Sequence, residues 1–151
     1  MIKSAFILFA VFIFTAAASL TGFAASPVTQ QQMKSGKRVM EQDIDGVKAV
    51  FMVLNIREWL KGKPVPKSYK ETHHLMVSFR DGKTGKPLND GSVRVKLVAP
   101  DGREQTKDMI FMQWHFGEDF QLSQKGDYGV MVKFKLKDGK VRSTSFWYEV
   151  K

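Results

Sequence analysis

Tyr128-Gly-Val-Met-Val-Lys-Phe-Lys-Leu136, then Lys137-Asp-Gly-Lys140, then Val141 to Val150, is the stretch that decides the fold. Asp138-Gly139 suits a turn that needs positive φ, so the two flanking runs read as the arms of an antiparallel hairpin. In the second arm Phe146 and Tyr148 alternate against Trp147, the period of two that a strand requires.

The same grammar extends upstream. Val47 to Asn55 is rich in β-branched and aromatic residues and reads as the first strand. Ile56 to Lys61 fits one helical turn ended by Gly62. Lys63-Pro-Val-Pro-Lys67 must be extended, because proline fixes its own φ and restricts the residue before it. His73 to Phe79 alternates, with Leu75, Val77 and Phe79 on one face and His74, Met76 and Ser78 on the other. Turn clusters at Asp81–Gly85 and Asn89–Gly91 lead to a strand over Ser92–Ala99, with Val93, Val95 and Leu97 inward. Lys107–Trp114 and His115–Leu122 read as two strands meeting near Gly117. Short strands at regular spacing, with no long helical pattern, predict an all-β antiparallel β-sandwich of about seven strands.

The first quarter differs. One lysine precedes the apolar run Ala5 to Phe14, and small residues follow to Ala25, which is the pattern of a secretory signal. The expected cleavage follows Ala24, with Ala18 as the alternative site. An uncleaved anchor over Ser4–Ala25 is the competing reading, since about 20 residues cross a bilayer. Residues 1–24 are thus a signal peptide, 25–45 a flexible linker rich in Gln and charge, and 46–151 the β-sandwich. The location is extracytoplasmic, in a bacterial periplasm.

The 151 residues contain no cysteine, so no disulfide or thiolate metal site is available. A net charge of +9 is spread among acidic residues, which favours a solvated basic surface over a nucleic-acid site. Membrane contact is expected only if the leader stays uncleaved. No nucleophile elbow, His-Glu-x-x-His or phosphate-binding glycine loop is present, and the sequence points to no enzyme.

What remains is soft-ligand chemistry. The chain has three histidines and eight methionines, and copper(I) prefers thioether and imidazole donors. His74 and Met76 share a strand face roughly 7 Å apart, opposite the core-facing set. Met109-x-x-Met112-x-x-His115 is harder to use. In a straight strand Met109, Phe111, Gln113 and His115 share one face, and the wholly apolar set Ile110, Met112, Trp114 and Phe116 the other. Met112 then reads as core, and convergence needs a bend or bulge. Methionine is also a common gap-filler in cores, so packing against aromatics is the competing reading. His73, on the parity of Leu75, reads as a structural histidine. Glu118 and Asp119 are candidates for a hard ligand or a partner of His115. Trp114, Phe116, Phe120, Trp147 and Tyr148 read first as core.

His73-His-x-Met-Val, Gly85-Lys-Pro, Gly91-x-Val-x-Val, Pro100-Asp-Gly, Met112-x-x-His115-Phe-Gly and Gly126-x-Tyr128 resemble the YtkA-like group of exported domains. The pattern is also distantly similar to periplasmic copper chaperones with Met and His ligands. The resemblance spans His73 to Val150. It implies a small immunoglobulin-like domain linked to copper handling, with His74, Met76, Met112 and His115 as ligands and Met109 in reserve. The expectation is a non-catalytic domain that binds copper, as Cu(I), and stores it or passes it to a copper-receiving protein. The rival is a metal-free interaction module that docks a protein or envelope polymer through its basic surface or a sheet edge.

Overall fold

The computed structural model describes residues 36–151, so the signal peptide and the first part of the linker lie outside the described residues. Eight strands run in the order β1 Lys37–Ile44, β2 Val47–Asn55, β3 His73–Asp81, β4 Gly91–Val98, β5 Glu104–Met112, β6 His115–Phe120, β7 Gly126–Leu136 and β8 Val141–Val150. A single helical turn, α1 Ile56–Trp59, follows β2, and its Asn55 side chain accepts from the Glu58 N–H as an N-cap. Among the described residues no helix is long and apolar enough to cross a membrane.

All pairings are antiparallel, in the spatial order β1-β2-β3-β6-β5-β4-β7-β8. The sheet curls until its two edge strands lie side by side: Thr144 Oγ1 donates to Gln42 Oε1, and Arg142 donates to the Asp45 carbonyl. No ladder joins β1 to β8, so the sheet is nearly closed rather than sealed. The all-β antiparallel architecture matches the sequence reading, with eight strands where about seven were expected.

Between the facing halves lies one core. Phe79 of β3 meets Phe134 of β7 at 4.4 Å between ring centroids, and Phe51 of β2 meets Phe146 of β8 at 5.2 Å. Val93, Val95 and Leu97 point inward from β4, as their alternation requires. Phe116, Phe120 and Tyr128 join them, while Trp147 points outward and is 75% exposed.

Two boundaries differ from the sequence reading. Residues 37–44, assigned to a linker by composition, form the edge strand β1, held to β2 by a two-residue turn at Asp45-Gly46 with φ of 46° and 77°. That pair is an Asp-Gly hairpin signal. It is masked by a strand whose side chains mostly face solvent. The strands β5 and β6 meet at Gln113-Trp114, not near Gly117: Met112 pairs with His115, and Gln113 takes φ 57°.

This turn reverses the expected parity. Met109 faces the core at 6% exposure, and Ile110 stands in solvent at 64%. Met112, not Met109, therefore shares the face of its cross-strand partner His115.

Candidate metal centre

Strand β3 is buried on both faces. Its inner face, with Leu75, Val77 and Phe79, lines the core. Its outer face carries His74 and Met76, which the alternation placed at a surface but which are 6% and 1% exposed. The chain between α1 and β3 folds back over this side. It is tied down where the Ile56 N–H donates to the Thr72 carbonyl, and where the Thr72 N–H donates to the Phe120 carbonyl. From the same segment the Tyr69 hydroxyl donates to Asp119 Oδ2 at 2.6 Å.

Register then determines which side chains meet. On β6, Asp119 lies opposite His74 and Gly117 lies opposite Met76. Side chains two apart on a strand share a face, so His115 joins them. Met112 lies opposite His115 on β5, and Met52 lies opposite Met76 on β2. The outer face thus gathers His74, His115, Met76, Met112, Met52 and Asp119, with a glycine at the centre.

The two imidazoles face each other. His74 Nε2 and His115 Nε2 are 3.4 Å apart, and the rings cross at 85°. That separation is long for a hydrogen bond. It matches two nitrogens bound to one ion: at about 2.0–2.1 Å each and a tetrahedral angle, they lie about 3.3–3.4 Å apart. Gly117 makes the arrangement possible. A Cβ built there would sit 2.7 Å from His74 Nε2 and 3.0 Å from His115 Nε2.

His74 is oriented from behind, since its Nδ1 pairs with Asp119 Oδ1 at 2.5 Å. The sequence reading offered Asp119 as a partner for His115; the structure gives it to His74. With Nδ1–H donated to the carboxylate, the Nε2 lone pair is free to face His115, the arrangement found behind metal-ligating histidines. His115 has no such partner, and its Nδ1 is buried without a hydrogen bond. Packing holds it instead, with the Trp114 ring 4.4 Å from its own.

The charges follow from these contacts. Burial, then the neighbouring His74, push the His115 pKa down to about 4, so its ring is neutral and its lone pairs available at neutral pH. Burial pushes the Asp119 carboxyl up, but hydrogen bonds from His74 and Tyr69, helped by Lys107, hold it below the usual range. Burial, the bond to Asp119 and nearby carboxylates push the Tyr69 hydroxyl well up, so it stays a donor.

Other candidates fall away from this face. His73 is a structural histidine, paired with Thr72 Oγ1 at 2.8 Å and edge-on to Tyr148. Met109 belongs to the core. Among the described residues no group of three or more His, Cys, Asp or Glu is placed to hold a metal ion. The face offers two imidazole nitrogens, with Met76 and Met112 at neighbouring register positions. That set suits a soft ion.

Sequence reasoning singled out His74, Met76, Met112 and His115, which the register brings to one face, but not the residues around them that shape it. Met52 had a legible signal, since Ala49, Phe51 and Val53 alternate inward and leave Met52 outward. Gly117, taken for a turn, and Tyr69, in a proline-rich connection, had none.

No known family profile matches the chain, and no curated protein matches it, so the YtkA-like resemblance rests on its motifs alone. Solved structures do match. The FetP protein of uropathogenic Escherichia coli strain F11 superposes with TM-score 0.57 at 13% identity, covering 75% of this chain and 93% of its own. Copper-reconstituted P19 of Campylobacter jejuni gives TM-score 0.58 at 11% identity, covering 76% and 94%. A DUF4426 family protein of Pseudomonas aeruginosa gives 0.57 at 15%, covering 74% and 96%. At such identities the likeness is one of fold. Copper-bound forms of both FetP and P19 are among these structures.

Proposed function

We propose that this chain is an exported, non-catalytic β-domain that binds copper as Cu(I) and stores it or passes it to a receiving protein. His74 and His115 supply nitrogen, Met76 supplies sulfur, and Met112 stands beside His115 as a further thioether. Met109 drops out as a reserve ligand because it faces the core. The metal is cargo, not a catalytic cofactor.

One observation carries the reading. Two buried imidazole Nε2 atoms face each other at 3.4 Å over a glycine whose cross-strand neighbour is Met76. Soft and borderline donors favour Cu(I) over hard cations. The copper-bound proteins of the same fold lend support, and the signal-like leader accords with export to the kind of compartment in which FetP was expressed.

The test is a Cu(I) titration of the purified domain against a competing chelator. One ion per chain is expected. Asp119→Asn removes the acceptor that orients His74 and is expected to weaken binding about tenfold or more, the usual effect of losing such a partner. Met76→Leu, which keeps volume, is expected to weaken it by a similar factor. Absence of binding by the unaltered domain, or indifference to both substitutions, overturns the proposal.

A further inference from the structure

The two histidines and Met76 are at most 6% exposed, so cargo must reach them along some path. The row of cross-strand partners through Met76 crosses four adjacent strands: Met52 on β2, Met76 on β3, Gly117 on β6 and Ile110 on β5. All four positions share the outer face. Exposure rises towards both ends, since Met52 is half-buried and Ile110 is 64% exposed, while Met76 between them is 1% exposed. The ends differ in chemistry. Ile110 offers only hydrocarbon, whereas Met52 offers a thioether.

Directly opposed residues on adjacent strands have Cβ atoms about 4.5–5.5 Å apart, within reach of two unbranched, flexible methionine side chains. Beyond Met52 the next strand carries Arg38, its partner on β1, whose guanidinium donates to Glu41 Oε2 at 2.7 Å. The β2 side of the row therefore carries a half-buried soft donor at its margin.

From this placement we infer that Met52 is the exchange ligand of the site: its thioether takes Cu(I) from solvent or a donor protein and hands it to Met76 and the histidine pair. The inference rests on the copper reading above. It assigns Met52 to the traffic of the ion, not to its resting coordination. A shared thioether lets the ion change place without ever being stripped of soft donors, and its oxidation state does not change in the transfer.

The experiment uses Met52→Leu, a swap of nearly equal volume at a half-buried position, which is well tolerated. Two quantities are read on the domain: Cu(I) affinity by chelator competition, and the rate at which a chelator loads or removes Cu(I) by stopped flow. The expected result is affinity within about threefold of the unaltered domain and exchange at least about tenfold slower. In parallel, 13C-methyl-methionine spectra are followed during titration with Ag(I), a redox-silent stand-in. The methyl signals of both Met52 and Met76 are expected to move. Exchange as fast as in the unaltered domain, with a silent Met52 methyl, overturns the inference and leaves the copper reading intact. A large loss of affinity in Met52→Leu also overturns it, since Met52 would then be a resting ligand. Failure of the unaltered domain to bind Cu(I) removes the copper reading itself.

Discussion

Gly117→Ala is expected to weaken Cu(I) binding by at least about 100-fold, equivalent to about 2.7 kcal/mol. The added methyl would stand 2.7 Å and 2.8 Å from His74 Nε2 and Cε1, and 3.0 Å from His115 Nε2. Real side chains do not tolerate such contacts, so one ring or both must swing away, and the facing nitrogens are lost together. Pushing a buried pair aside also costs stability, about 1–3 kcal/mol for overpacking of this kind. Gly129→Ala is the matched control. Its Cβ would stand no nearer than 3.3 Å to any atom beyond its chain neighbours, the nearest being the exposed Trp147 ring. Urea unfolding of both variants separates a lost site from a lost fold. Unchanged Cu(I) affinity in a folded Gly117→Ala domain would mean that the histidine pair is not where the metal sits.

Acid is expected to destabilise the metal-free domain through the same histidine. His115 has its folded pKa pushed from 6.5 to about 4, so over that interval the unfolded chain holds a proton that the folded chain refuses. Stability therefore rises with pH through this window and falls as pH drops through it. At about 1.4 kcal/mol for each unit, the loss between pH 7 and pH 4 is on the order of 3 kcal/mol. Below about pH 4 the folded ring also protonates and this contribution stops growing. His73, lowered chiefly by burial, acts in the same direction. Urea melts at pH 7 and pH 4 measure the effect, with His115→Gln as the reference because it cannot titrate. The unaltered domain should lose more stability than the variant; equal losses would show that His115 is accessible to protons in the folded state.

The strands were legible where turn chemistry and alternation agree. Asp138-Gly139 announces β7 and β8, and Val93, Val95 and Leu97 announce β4, because each signal is local. Edge strand β1 was not legible from composition, since most of Lys37–Ile44 faces solvent and looks like a charged arm. The candidate site was half legible for the same reason. His74 and Met76 are two apart, and strand geometry alone puts them on one face. Their meeting with His115 depends on β6 pairing with β3 rather than extending β5 in a line, a long-range choice that no short motif records. The parity of Met109 and Met112 was misread because Gln113-Trp114 makes a two-residue turn without the usual glycine or asparagine. Burial of the outer face was also hidden. It depends on the segment between α1 and β3 folding back, and the only hint was its two prolines.

X-ray absorption at the copper edge of the Cu(I)-loaded domain tests the central claim most directly, because it counts the donor atoms around the ion. The arrangement of His74, His115 and Met76 predicts two nitrogen scatterers and at least one sulfur, with the sulfur signal reduced in Met76→Leu. A shell of nitrogen and oxygen alone, or sulfur alone, would contradict it.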